Sequence, residues 1–172
     1  MKKEKEKKKP KQKRGRGPGR AGPMQVTASS GYAIHGLGYL AWKKARKVIF
    51  LSEIAEYFAI PTSYLAKVFQ ALAHAGLVIS FRGAKGGYAL SREAPKITFR
   101  EVIEVFEGPV SEVCTLNSGP CTKRMSCTVS RRLADAQRSF LDALSKYTVN
   151  DISQELARAD AAARRAGRTA RD

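Results

Sequence analysis

The stretch LSEIAEYFAIPTSYLAKVFQALAHAGLVISFRGAKGGYAL, residues 51–90, decides the fold. Leu51, Ile54, Ala55 and Phe58 recur at three- and four-residue spacing, which places one apolar stripe on a helix of about two turns. Ile60-Pro61-Thr62 breaks that pattern, because proline is tolerated in a turn or a first helical turn but not in a helix interior. A second helix follows with Leu65, Val68, Phe69, Leu72 and Ala73 on its buried face and Gly76 as its stop signal. Two helices this short, joined by a tight turn, predict a helix-turn-helix. Leu77 to Phe81 then reads as a strand, Arg82 to Gly87 as a turn, and Tyr88-Ala89-Leu90 as the start of a returning strand.

The polar face of the second helix carries Ser63, Tyr64, Lys67, Gln70 and His74. Hydroxyl, amide and cationic groups in that arrangement suit phosphates and base edges in a major groove. The hairpin is tipped with Arg82 and Lys85, and its glycines let the backbone approach a phosphate while the two cations neutralise charge. Ser63, Tyr64, Lys67, Gln70, Arg82 and Lys85 are therefore the candidate DNA-binding residues. The plainer alternative is a solvent-exposed hairpin on an ordinary helical domain. Either half of the pattern alone would leave that alternative standing; their order and short separation favour a winged helix.

The 172 residues carry a formal net charge of +17, unevenly spread. Residues 1–23 contribute +9 and residues 157–172 contribute +3, leaving +5 for residues 24–156. A positive balance of this kind favours a polyanionic partner. No stretch approaches the roughly 18 consecutive apolar residues of a membrane span, and no apolar segment follows the basic N-terminus as in a secretory signal. Three cysteines, an odd number, argue against a closed disulfide framework and fit a reducing cytoplasm. Two histidines, His35 and His74, and no Ser/His/Asp or paired-carboxylate arrangement argue against an enzyme.

Four regions follow from the patterning. Residues 1–23, rich in Lys, Arg, Gly and Pro, read as a disordered basic tail or as sequence upstream of a true start at Met24. Residues 24–95 form the winged helix-turn-helix. Thr27 is expected to cap a first helix running to Ala45, with Tyr32, Ala33, Leu37, Leu40 and Ala41 on one face. Gly36 and Gly38 weaken that helix by about 1 kcal/mol each relative to alanine, a cost that close packing can offset. Residues 96–156 hold a cysteine loop and dimerisation helices. Thr98-Phe99-Arg100-Glu101 reads as a capping box opening a short helix that Gly108-Pro109 ends. A longer helix is expected from about Thr128 to Lys146, with Leu133, Ala136, Phe140, Leu141 and Leu144 on one face, then a last short helix carrying Ile152 and Leu156. The Ala/Arg-rich residues 157–172 extend that helix or fray. The expected class is mainly α with a small β-hairpin.

Cys114, Cys121 and Cys127 are spaced C-x6-C-x5-C, and the chain has no other cysteine. Three thiols gathered in one Gly- and Pro-containing loop suit an iron–sulfur cluster, whose irons demand thiolate donors. Lys123 and Arg124 beside them would lower thiol pKa values and offset an anionic cluster. Structural zinc usually shows tighter cysteine pairs and a fourth ligand, so zinc is the runner-up. Redox-switch thiols and inert loop cysteines are the other readings.

At this point the chain resembles the IscR/NsrR-type winged-helix regulators over about residues 24–156. The resemblance rests on Met24-Gln25-Val26-Thr27, Glu53-Ile54-Ala55-Glu56, Ser63-Tyr64-Leu65, Ala75-Gly76-Leu77-Val78, Arg82-Gly83 with Gly86-Gly87-Tyr88, Ile97-Thr98 with Val102-Ile103-Glu104, and the three cysteines. It implies a homodimer that crosses its long helices and binds a near-palindromic operator on double-stranded DNA. It also implies a cluster on Cys114, Cys121 and Cys127 whose loss or modification by nitric oxide, oxygen or iron shortage changes DNA affinity. Some members place a histidine three residues after the last cysteine, where this chain has Ser130, and others an early carboxylate, where it has Ser30-Gly31. The fourth ligand is thus open among His35, Glu112, water and a small thiol, which favours a labile 4Fe-4S sensor over 2Fe-2S. Ala66 stands where members often carry a glutamate in the recognition helix. The resulting expectation is a transcriptional regulator, a repressor, controlled by such a cluster. Its competitors are a metal-free or zinc-binding basic nucleic-acid-binding protein and a thiol-based redox regulator.

Overall fold

The computed structural model describes residues 26–43, 48–83, 86–109 and 127–169. Within them the order is α1 (Ala28–Trp42), α2 (Leu51–Tyr57), α3 (Thr62–His74), β1 (Val78–Phe81), β2 (Gly87–Leu90), a 3-10 turn (Ala94–Lys96), α4 (Phe99–Glu107), α5 (Thr128–Leu144) and α6 (Val149–Thr169). The protein is mainly helical with one two-stranded antiparallel hairpin, as the patterning predicts.

The apolar pattern of α1 differs from the one-faced stripe read in the sequence. Ala33, Ile34, Leu37, Tyr39, Leu40 and Ala41 are all buried, together with Gly36, Gly38 and Ser30, so the helix is covered around most of its circumference. A helix apolar on all sides belongs inside a core, not on its edge. α1 packs against α3, α4 and α6. Two of these approaches need the glycines. A Cβ on Gly36 would lie 2.7 Å from Cε2 and 2.9 Å from Cζ of Phe69 in α3, and one on Gly38 would lie 2.8 Å from Cβ of Ile152 in α6.

α2 and α3 end in the same way. The N–H of Ile60 donates to the carbonyl of Ala55 at 2.9 Å and that of Ala59 to Glu56 at 3.2 Å; Leu77 donates to Leu72 at 2.9 Å and Gly76 to Ala73 at 3.1 Å. This paired geometry closes a helix through one left-handed residue. Gly76, at φ 71°, suits that position, whereas Ala59, at φ 52°, occupies it against the steric preference of its Cβ. Pro61 then opens α3, its carbonyl accepting from Tyr64 and Leu65 at 3.0 and 3.1 Å.

The hairpin pairs Val78 with Leu90 through Phe81 with Gly87. Ile49 adds a one-residue third strand, exchanging hydrogen bonds with Tyr88 at 3.0 and 2.8 Å. A Cβ on Gly87 would run into the carbonyl of Ile49 and come within 2.8 Å of Val48 Cγ1, so the edge closes only over glycine there. The Tyr88 ring packs at 4.9 Å on Phe69, tying the hairpin to α3.

A second bridge joins Thr98 and Thr148, with Phe99 donating to Tyr147 at 3.0 Å and Val149 to Ile97 at 2.9 Å. Ile97 and Val149 are fully buried beneath it. Of the expected capping box, the Thr98 hydroxyl accepts from the Glu101 N–H at 3.2 Å, while the Glu101 carboxylate is taken by Arg92. Thr148 opens α6 with its N–H and hydroxyl donating to Asp151 at 2.6 and 3.0 Å. α6 is a 21-residue helix, so the Ala/Arg-rich segment extends it through Thr169. α5 buries only Ser130, Ala134 and Leu141. Of the apolar face expected on it, Leu141 is buried, Phe140 and Leu144 are half-buried, and Leu133 and Ala136 are exposed. Arg100 ties α4 to it, donating to Glu104 at 2.9 Å and to Asp142 at 2.6 Å.

The two helix ends give a matched test. Ala59→Gly is expected to raise stability, and Gly76→Ala to lower it, by about 1 kcal/mol each. Thermal unfolding at fixed protein concentration measures both; an unchanged Tm for Ala59→Gly would show that residue 59 is not held left-handed.

Candidate nucleic-acid interface and cysteine segment

α3 divides cleanly. Leu65, Val68, Phe69 and Leu72 enter the core, and Ser63, Tyr64, Lys67, Gln70 and His74 are exposed on the other side. Ser63, Lys67, Gln70 and His74 fall at alternating steps of four and three residues, so they line one ridge of the helix. Ala66, half-buried, leaves no long acidic side chain beside that ridge. Arg82 is exposed at the end of β1, and the turn after it begins with Gly83 at φ 101°, whose carbonyl accepts from the Gly86 N–H at 2.8 Å. Lys85 lies outside the described residues. The outer face of the hairpin adds exposed Ile79 and Phe81, beside which Phe50 is also exposed. The arrangement offers hydroxyl, amide and cationic groups on a convex helix flanked by a cationic hairpin, the chemistry of duplex recognition.

Tyr64 is less free than the sequence suggests. Its hydroxyl shares a 2.7 Å hydrogen bond with Ser29 Oγ in α1, and the Tyr32 ring stands edge-on to it at 5.5 Å. The next residue of α1, Ser30, is fully buried and donates to Glu107 Oε1 at 2.7 Å. Thr27 donates to the same oxygen from its N–H at 3.1 Å and its hydroxyl at 2.7 Å. Thr27 does stand at the N-cap, but the acceptor that satisfies this helix start is Glu107, at the end of α4. Ser29, Ser30 and Glu107 escaped the sequence reading. Their separations of 35 and 77 residues from their partners leave no local signal, beyond hydroxyls in a first helical turn.

His35, considered above as a cluster ligand, is exposed on α1, where Nδ1–H donates to the Gly31 carbonyl at 2.8 Å and the ring meets Phe58 edge-on at 5.6 Å. Cys114, Cys121 and Glu112 lie outside the described residues, as do Lys123 and Arg124. Cys127 is half-buried at the N-cap of α5. Its sulfur makes no side-chain capping hydrogen bond. The nearby N–H and then the hydroxyl of Ser130, with a smaller part from the Val129 N–H, lower its thiol from the ordinary value against some desolvation. A helix N-terminus stabilises a thiolate in this way, and a thiolate is the donor that iron or zinc takes. Cys127 therefore fits a soft-metal ligand.

The comparisons with known proteins agree with this geometry. The Rrf2 family model, described as an iron-dependent transcriptional regulator, matches residues 26–155. Among solved structures, CymR (YrzC), the global cysteine regulator of B. subtilis, is 32% identical over 77% of this chain and 98% of its own, with a TM-score of 0.58. IscR of T. potens is 25% identical over 77% of this chain and 88% of its own, with a TM-score of 0.59. Staphylococcus aureus CymR is 30% identical over 74% and 96%, with a TM-score of 0.57.

In metal-free protein carrying Cys114→Ser and Cys121→Ser, Ser130→Ala is expected to raise the Cys127 pKa. The thiolate fraction at neutral pH then falls, and alkylation by iodoacetamide slows. An unchanged rate–pH profile would remove the Ser130 hydroxyl, though not its N–H, from the groups that acidify the thiol.

Proposed function

The chain belongs to the Rrf2 family of transcriptional regulators, DNA-binding proteins and not enzymes, and from that premise we propose that it is a homodimeric repressor of a near-palindromic operator. An iron–sulfur cluster on Cys114, Cys121 and Cys127, 4Fe-4S in preference to 2Fe-2S, sets its affinity. The observation that carries the DNA-binding reading is the exposed ridge of Ser63, Lys67 and Gln70 beside the Arg82 hairpin. In this reading α3 lies in the major groove, with Ser63, Tyr64 and Gln70 toward base edges and Lys67 toward a phosphate, while Arg82 and Lys85 grip the flanking backbone. Among the described residues no helix is long and apolar enough to cross a membrane.

α5 supports the dimer. Val129, Leu133, Ala136, Phe140 and Ala143 follow one another at steps of four, three, four and three, the spacing of a helix–helix seam. Val129 is 57% and Leu133 41% exposed. A second copy of α5 on this seam would cover what remains exposed of both, roughly half of the 1.5–3 kcal/mol that full burial of such a side chain gives. Two α3 helices would then meet one face of the duplex a helical turn or a multiple apart. Leu133→Glu is expected to yield a monomer in sedimentation and to lose the operator footprint; a variant that still sediments as a dimer would take Leu133 out of the interface.

The cluster reading rests on three thiols in one loop, the acidified Cys127 and a family described as iron-dependent. When bound, a cluster supplies a centre that nitric oxide, oxygen or iron shortage alters. The chain's own contribution is a readily deprotonated thiol at the start of α5, next to the seam of the proposed dimer. A metal-free thiol regulator is the second reading. It is favoured by the same acidified thiol and by likeness to a protein named for cysteine regulation. Anaerobic absorption spectra with iron and acid-labile sulfide assays separate the two. A brown protein holding both elements and bleached by Cys121→Ser is expected. A colourless protein after anaerobic reconstitution would reject the cluster and leave thiols or zinc as the sensing chemistry.

A further inference from the structure

We propose that Glu107 and Ser29 are positioning residues for the DNA-reading helix, acting through the first turn of α1 to hold Tyr64 in place. The inference rests on the reading of α3 as the helix that meets DNA. At one end of the arrangement, a single carboxylate oxygen, Glu107 Oε1, accepts from Thr27 N–H, Thr27 Oγ1 and Ser30 Oγ at 3.1, 2.7 and 2.7 Å. The first amides of a helix lack internal partners and its dipole favours negative charge there, so an acid is well placed at this end. Thr27 would ordinarily cap its own helix. Here it donates instead to a residue 80 positions away, which fixes the first turn of α1 to the end of α4. The buried Ser30 hydroxyl makes that attachment specific, because Glu107 Oε1 is the partner that satisfies it away from water.

At the other end, the same turn reaches α3. Ser29 lies between Thr27 and Ser30, and its hydroxyl shares the 2.7 Å bond with Tyr64. Tyr32, one turn on, presents its ring at 88° to that of Tyr64. A phenol at the surface of a helix would otherwise lose rotamer freedom on meeting a base edge. Tyr64, 39% exposed, is already restrained from behind by both contacts while its outer side faces solvent. Glu107 sets where the turn sits, the turn sets where Ser29 sits, and Ser29 sets where the phenol points. Glu107 is also the last residue before Gly108, whose φ of 80° turns the chain toward the cysteine segment.

A positioning role predicts a loss of sequence-specific affinity without a loss of electrostatic attraction. The test uses the full chain and a duplex selected by the wild-type protein from a random library, beside a random-sequence duplex of equal length. Ser29→Ala and Tyr64→Phe are each expected to weaken the selected duplex about five-fold, the scale of one hydrogen bond, and Glu107→Gln, which keeps an acceptor oxygen but loses the charge, to weaken it less. Affinity for the random duplex and the salt slope stay unchanged. Ser29→Ala should add nothing in a Tyr64→Phe background, and Ser29→Ala with Glu107→Gln should lose less than the product of the two. Wild-type affinity for Ser29→Ala, or full additivity in either pair, overturns the proposal. If Glu107→Gln is unfolded at the assay temperature, Ser30→Ala takes its place with the same expectation. Lys67→Ala serves as the control on the underlying reading: it should weaken both duplexes and reduce the salt slope by about one. If Lys67→Ala and Tyr64→Phe both bind as the wild type does, the assignment of α3 fails, a result distinct from failure of the positioning chain.

Discussion

The ring of Phe69 lies where a side chain at residue 36 would be, and the rest of the structure depends on that contact. Phe69 is fully buried, and Tyr88 of β2 packs on it at 4.9 Å, so one ring sets both the α1–α3 distance and the seat of the hairpin. Gly38 does the same for α6 by admitting Ile152. Interiors packed as densely as crystals respond to a single added methylene. Two glycines in one helix, each unfavourable by local propensity, are thus offset by two close helix crossings. With α1 surrounded by α3, α4 and α6, the side of α3 that faces away from it is left to solvent, and that side carries the polar ridge.

Local rules made the helix-turn-helix and hairpin legible. Period, proline and glycine were enough to place α2, α3 and both strands within a residue or two, since each is specified by neighbours in sequence. The environment of α1 was not legible, because a one-faced stripe and an all-round core helix differ only in what surrounds them. Ala59 hid a helix end that glycine would have advertised, and Ile49 hid a third strand one residue long. On α5 the apolar face is read from Leu133, Ala136, Phe140, Leu141 and Leu144, yet the residues buried within one chain are Ser130, Ala134 and Leu141. The polar residues on α3 were visible as a face, but the restraint on Tyr64 spans 35 residues and the seat of α1 spans 80. No periodicity encodes such pairs.

Charge and shape divide the work of binding. Most of the +17 resides in the two ends of the sequence, with only +5 on residues 24–156. In the proposed reading, long-range attraction to a polyanion is therefore largely separable from sequence discrimination by a few side chains on α3. Arg100, Arg92 and Arg138 are engaged by Glu104 and Asp142, by Glu101 and by Asp135 respectively, so these cations brace helices and do not simply add to a diffuse positive surface.

The bridge between Thr98 and Thr148 joins two stretches far apart in the sequence. The chain leaves that point at Phe99 and comes back to it at Tyr147, with the ring of each stacked on the other at 6.0 Å. Everything between, including all three cysteines and α5, is an excursion whose two ends are sewn together over buried Ile97 and Val149. The entropic cost of such a loop grows only slowly with its length. Residues 110–126 within it can therefore differ in length at little entropic cost while the bridge still returns α6 to its place beside α1.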